Sequence, residues 1–168
     1  FRRVLFRSDD EGREMAETTR TTGTTRDLYD LGEMPPPGHV PARMHAAVIR
    51  PSRLGDPRTA FAMEVVETPP IGPRQVLVWV MAAGVNYNNV WAALGTPVDV
   101  IEARRRRGAT EDFHIGGSDA AGIVWAVGPE ARGVRVGDEV VIHCGTWDEE
   151  AADIRAGADP ITSSSVAL

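Results

Sequence analysis

Residues 84–91 read GVNYNNVW: a tyrosine flanked by three asparagines, Asn86, Asn88 and Asn89, between the apolar run VLVWVMAA and the apolar stretch WAALG. Burying carboxamides beside an apolar strand costs a few kcal/mol each, on the order of ~2–7, unless each finds a hydrogen-bond partner. The stretch is therefore either a turn whose Asn side chains bond their own backbone, or a site in which amide N–H groups face a ligand. A carboxamide suits a ligand with weak acceptors, because it donates hydrogen bonds without being an acid. Other chemistry-bearing residues carry plainer readings. The run Arg104–Arg107 offers guanidinium forks that suit phosphates, and equally the charged end of a helix, where cations complement the dipole. His114 and His143 lack a second ligand at metal spacing and read as structural or exposed. Cys144, the lone cysteine, follows an apolar run with no basic neighbour to lower its pKa and reads as an inert thiol. Trp79, Trp91 and Trp125 fall on strand or helix patterns and read as core, whereas Trp147 lies in a polar segment and could face a partner.

Several chemistries are absent from the text. There is no GxGxxG between a strand and a helix, no phosphate-binding P-loop and no HExxH. With one cysteine, an internal disulfide and a multi-cysteine zinc site are excluded. The formal net charge of -6 argues against a nucleic-acid partner, since phosphate neutralisation needs a basic face. No apolar run reaches the roughly 18 residues of a membrane span, the composition is that of a soluble globular protein, and the single cysteine fits an expected cytoplasmic location. At 168 residues the chain can bury a core without staples.

The elements that position these residues are mostly strands. MHAAVIR (44–50), AFAMEVVETP (60–69), QVLVWVMAAGV (75–85), GSDAAGIVWAVG (117–128) and VRVGDEVVIHC (134–144) are rich in Val and Ile and punctuated by Gly, Pro and Asp. Gly137 and Asp138 suit a tight turn. NVWAALG is expected to be a short helix; Thr96, Pro97 and Asp99 are expected to be the N-cap, first-turn proline and box acid of another, running to about Arg107. Residues 28–41 are expected to hold one helical turn ended by prolines. The fold class is mainly β with short helices (α+β), in a small, partly open barrel. Residues 1–8, FRRVLFRS, have the look of a translated sequencing adapter and are expected to be an artefact, and 9–27 a disordered arm.

Taken together, VMAAGVNYNNVWAALG (80–95), FHIGGSDAAGIVWAVG (113–128), LGEMPP (31–36) and the segment 141–165 resemble the GroES-like half of the medium-chain dehydrogenase/reductase superfamily, and within it the crotonyl-CoA carboxylase/reductase family. The resemblance implies a GroES-like catalytic domain over 28–150, a connection at 151–168 toward a missing remainder, and no Rossmann domain in this chain. It implies reduction of crotonyl-CoA with NADPH, capture of CO2 at the α-carbon and release of ethylmalonyl-CoA. Partners are then the acyl-CoA and CO2, with NADPH held mainly by the missing domain and a homo-oligomer in the full-length enzyme. By resemblance Asn88 is the catalytic amide donor to CO2, and Tyr87 and Asn86 lie on the cofactor side. Asn86 and Asn89 otherwise serve turn chemistry. Where zinc-dependent relatives carry Cys and His ligands, this chain has Asn86 and the triplet Gly117, Ser118, Asp119, poor zinc donors that imply a metal-free reductase. The fragment alone is expected to be inactive. A plain enoyl-CoA or quinone reductase of the same superfamily, or a non-catalytic GroES-like binding module, are the alternatives.

Overall fold

The computed structural model describes residues 2–5, 25–143, 145 and 150–159; Cys144, Trp147 and residues 160–168 lie outside them, as does most of the expected arm. Among the described residues seven strands form two sheets. One has the order β1–β4–β6–β7, from Arg2–Leu5, Gln75–Ala82, Ala120–Val127 and Glu139–Ile142; the other is β3–β2–β5, from Phe61–Glu67, Arg43–Ile49 and His114–Ile115. All pairings are antiparallel and no barrel closes among the described residues, in keeping with the mainly β, partly open fold expected. The backbone of β1 pairs with β4 from Arg2↔Val78 to Leu5↔Gln75. Such pairing needs only the unpaired N–H and C=O groups of a strand edge, so it is a property of β4 more than of the segment it holds.

Each sheet buries one set of side chains. Val76, Val78, Val124 and Val134 form the core beneath the first sheet, and Met44, Ala46, Val48 and Val66 that of the second. Complete burial of a Val or Ile is worth about 1.5–3 kcal/mol. A third cluster, Ile49, Ala60, Ala92, Ala93 and Ile101, joins the second sheet to three short helices: α1 (Pro57–Ala60), α2 (Asn88–Leu94) and α3 (Val100–Arg106). A further helix, α4, spans Ala152–Arg155.

The structure corrects several expected boundaries. Helix α3 is capped by Asp99, whose Oδ1 accepts from the N–H groups of both Ile101 and Glu102 at 3.0 Å. A carboxylate satisfying two orphan donors fixes the start three residues beyond Thr96. The segment 134–144 is not one strand: Asp138 Oδ2 accepts from Arg135 N at 2.8 Å and Gly137 has φ 98°, so a turn precedes the short β7. Residues 28–41 form hydrogen-bonded turns, Glu33 N to Asp30 O and His39 N to Pro36 O, and no helix. Trp91 is not core. Ala92 and Ala93 occupy the inward face of α2, and their small side chains seat the helix close to Ile49, leaving Trp91 47% exposed.

An ionic knot secures the helical end of the second sheet. Glu64 on β3 accepts from Arg50 Nε at 2.9 Å and from Arg53 Nη2 at 2.5 Å, while Arg50 Nη1 reaches Asp112 at 2.8 Å. Arg53 also donates to the carbonyls of Val48 and Ala60. The hydrogen bond from Arg50, then that from Arg53, holds the Glu64 carboxyl below the usual carboxylate range. A carboxylate lowered on folding contributes stability that is complete above its unfolded pKa and is lost as pH falls through the folded value. The expected result is that Glu64→Gln lowers the melting temperature at neutral pH and that the gap to the parent closes below about pH 4; melting curves across pH 3–7 measure it, and a gap independent of pH would refute the assignment.

Candidate active site

Two segments distant in sequence meet at the end of β4. The first, Gly84–Asn89, leaves the strand and enters α2; the second, Gly116–Asp119, links β5 to β6. Each asparagine ties one to the other or closes the turn between them. Asn86 Nδ2 donates to Ser118 Oγ at 2.9 Å and to the Asp119 carboxylate, while its Oδ1 accepts the main-chain N–H of Asn88 at 3.0 Å. Asn88 Nδ2 donates to Ser118 Oγ at 3.3 Å. Asn89 Oδ1 accepts from Gly117 N at 2.8 Å. Asn89 thus does more than local turn work, since it anchors a chain 28 residues away.

The local sequence explains this arrangement. The Asn86 side chain closes a turn onto Asn88 N, which lets α2 begin although Tyr87 at its N-cap makes no side-chain cap. Gly95 ends the helix in the left-handed region at φ 66°, open to glycine without a Cβ penalty. Between these ends Tyr87, Trp91 and Leu94 fall at i, i+4 and i+7 and all face outward, 63%, 47% and 44% exposed. Tyr87 meets Trp91 edge to face, with ring centroids 5.4 Å apart at 78°. Val85, 96% exposed, and Met81 extend this apolar surface along the end of β4. An apolar helix face turned outward beside a polar cluster marks a surface made for a ligand or another part of a protein.

A crevice of about 170 Å³ opens beside the cluster between the two sheets, lined in part by Ala46, Val80, Ala83, Ile115, Gly117 and Asp119. Asn88 is exposed, and among the described residues its carboxamide makes only the long bond to Ser118. One N–H and the carbonyl oxygen stay available for a ligand.

The structure brings together Asn86, Tyr87 and Asn88, all three expected site residues. It adds Ser118 and Asp119 as their partners, which sequence reading had placed only by analogy with metal ligands. Among the described residues no three His, Cys, Asp or Glu side chains converge. His114 lies on β5 opposite Ile49, and His143 bonds the Gly145 main chain. The arginine run is largely engaged within the chain: Arg104 with Phe113 O and Glu111, Arg105 and Arg106 with Glu102. Its plainer reading as a helix end accounts for those contacts.

An antiparallel open β-fold with this polar crossing belongs to a known class. Residues 72–165 match the alcohol dehydrogenase GroES-like domain, and the chain belongs to that family. Within it, the chain is similar to crotonyl-CoA carboxylase/reductase of Cereibacter sphaeroides, 53% identical over 82% of this chain and 31% of that protein. It is 40% identical to crotonyl-CoA reductase of Streptomyces avermitilis over 61% of this chain and 25% of the relative. Among solved structures, crotonyl-CoA carboxylase/reductase AntE in complex with NADP superposes with a TM-score of 0.76 at 62% identity, covering 86% of this chain and 35% of that one. The chain thus spans about a third of the length of these carboxylase/reductases.

Proposed function

We propose that this chain is the substrate-facing part of an NADPH-dependent reductive carboxylase that converts crotonyl-CoA and CO2 to ethylmalonyl-CoA. Two observations support it together: the similarity just described, and an exposed carboxamide, Asn88, beside an aromatic face and in a polar cluster whose Gly117 and Asp119 line a crevice. The second carries the choice of chemistry. CO2 has no dipole and weak acceptor oxygens, so a site must hold it with aimed donors that are not acids, while keeping out water that would protonate the carbanion. The Asn88 amide meets the first need.

The residues present also fit part of a nicotinamide cofactor. The outward Tyr87 and Trp91 rings, packed edge to face, offer apolar surface next to Asn86, suited to an uncharged heteroaromatic ring, whereas no glycine-rich strand-to-helix turn is available for its phosphates. When bound, such a cofactor supplies the hydride for the β-carbon. Tyr87 and Asn86 then orient the ring's side of the cleft, and the phosphates, together with the rest of the CO2 pocket, belong to a part of the enzyme beyond residues 28–150. In this reading the enzyme needs no zinc, because an Asn carboxamide and a Ser hydroxyl, poor zinc ligands that bond each other here, stand where zinc-dependent relatives carry Cys and His. It works in the cytoplasm, where its CoA thioester and reductant are held, and assembles as a homo-oligomer through that other part. Among the described residues no helix is long and apolar enough to cross a membrane.

The test is product analysis on the full-length enzyme carrying this segment, given crotonyl-CoA and NADPH with and without bicarbonate. Ethylmalonyl-CoA as the main product with bicarbonate is the expected result; butyryl-CoA under both conditions would show a plain reductase instead. The 168-residue chain by itself is expected to oxidise no NADPH in the same assay, and crotonyl-CoA-dependent oxidation by it would contradict the reading.

A further inference from the structure

Ser118 sits at the centre of the polar crossing, and its bonds define which way its proton faces. An ionised carboxylate only accepts, so the bond to Asp119 identifies the nitrogen end of the Asn86 carboxamide without ambiguity. The other end then accepts from Asn88 N, and the remaining Asn86 N–H goes to Ser118 Oγ. Ser118 Oγ receives a further N–H from Asn88. A hydroxyl has two lone pairs and one proton, and both lone pairs are thereby used. Among the described residues Ser118 Oγ has no bond besides these two, so its O–H is a donor directed away from both asparagines. The crevice runs beside this segment: its lining includes Gly117 and Asp119, the neighbours of Ser118, and not Ser118 itself.

We infer that Ser118 is a catalytic hydrogen-bond donor to the thioester oxygen of the substrate, kept in that role because Asn86 and Asn88 occupy its lone pairs. The inference rests on the reading of this site as an enoyl-thioester reductase. When the β-carbon accepts a hydride, the double-bond electrons move to the α-carbon and the carbonyl becomes an enolate oxygen carrying the charge. The Ser118 O–H meets that charge without giving up its proton. As the α-carbon forms its bond to CO2, the electron pair leaves the oxygen and the carbonyl is restored. One side chain, Asn88, would thus serve the electrophile while its neighbour serves the nucleophile. The 3.3 Å Asn88–Ser118 bond, long for N–H···O, is the one a bound substrate can lengthen without breaking the rest.

The experiment compares Ser118→Ala and Ser118→Thr in the full-length enzyme, with amide spectra of the 168-residue chain. Loss of one preorganised donor to an oxyanion costs about 10²–10³ in rate. Ser118→Ala is expected to slow consumption of crotonyl-CoA by that factor with little change in the carboxylated-to-reduced ratio, and Ser118→Thr, which keeps the hydroxyl, to restore most of it. In the chain itself, Ser118→Ala should shift the side-chain amide signals of Asn86 and Asn88 while the fold persists. Turnover of Ser118→Ala within about threefold of the parent, or Thr no better than Ala with the fold intact, overturns the assignment. If the parent yields only butyryl-CoA, the carboxylase reading falls while the Ser118 result still decides this one; a parent inert toward enoyl thioesters overturns both.

Discussion

Gly122→Ala is expected to leave the chain unable to fold. Gly122 lies in β6, between β4 and β7, opposite Val80 on one side and Val140 on the other. A Cβ placed there would stand 2.0 Å from the carbonyl oxygen of Trp79, 2.9 Å from its carbonyl carbon and 3.0 Å from Val78 Cγ1. The first two are main-chain atoms. A side chain could rotate aside, but the Trp79 carbonyl is fixed by the β4–β6 ladder, which is irregular at this point with register shifts after Leu77 and Val80. Relief would require separating two strands that together carry Val76, Val78 and Val124 of the core. Overpacking against flexible side chains costs about 1–3 kcal/mol, whereas a main-chain collision in a central strand belongs among the rare losses above about 4 kcal/mol. Against a total stability of roughly 5–15 kcal/mol, that leaves little or no native state. Gly84→Ala is the control. Its Cβ would come no nearer than 3.3 Å to any atom, meeting Asp119 Cβ and Oδ2 first, a crowding that a shift of a few tenths of an ångström relieves. Urea unfolding followed by circular dichroism should show a cooperative transition for Gly84→Ala and none for Gly122→Ala; a parent-like midpoint for Gly122→Ala would refute the steric account.

The strands that matter for that argument were readable from the chain, because buried sheets favour β-branched residues and Val recurs along β4 and β6 in text such as VLVWV and GIVWAV. The shape of α2 was readable too, from NVWAALG and the glycine after it. What escaped depends on partners remote in sequence. Asp99 outcompeted Thr96 as the cap because its carboxylate could reach two N–H groups, a geometric fact without a signature in the letters. Strand β5 is two residues long, below any periodicity, and exists because Val48 and Ile49 offer it an edge. The outward turn of Trp91 follows from how closely Ala92 and Ala93 approach Ile49, and an apolar residue next to two alanines reads as core until that approach is known. At the site, the amide cluster announced itself through its cost of burial. Its partners Ser118 and Asp119 lie 30 and more residues downstream, and what joins them to Asn86 and Asn88 is the pairing of β4 with β6, not the spacing along the chain. The Arg50–Glu64–Asp112 knot is hidden for the same reason, since Asp112 lies 62 residues beyond Arg50.

Asn88→Leu is expected to separate carboxylation from reduction in the full-length enzyme. Leucine matches asparagine closely in size and shape but removes both amide N–H donors and the carbonyl acceptor. Because Asn88 is exposed and its only side-chain bond among the described residues is the 3.3 Å contact to Ser118, the substitution should cost no more than about 0.5 kcal/mol of stability. Any change in products then reports on chemistry. In the proposed reaction the enolate faces two electrophiles, CO2 and a proton from water. A donor that holds CO2 lowers the barrier to the first route alone, so its loss acts on the ratio of the routes. If the Asn88 donor contributes as one oxyanion-type hydrogen bond does, about 3 kcal/mol, the ethylmalonyl-CoA to butyryl-CoA ratio should fall about 10²-fold at fixed bicarbonate. Total crotonyl-CoA consumption should fall much less, since hydride arrives before the routes divide. This is the opposite pattern to that expected of Ser118→Ala, which slows the shared step and spares the ratio. The pair of variants therefore tests whether the two ends of one hydrogen bond, 3.3 Å long in the structure, serve two different atoms of the reaction. A ratio in Asn88→Leu equal to that of the parent, with the protein folded and turning over, would remove the carboxamide from CO2 capture and leave it as the lip of a turn.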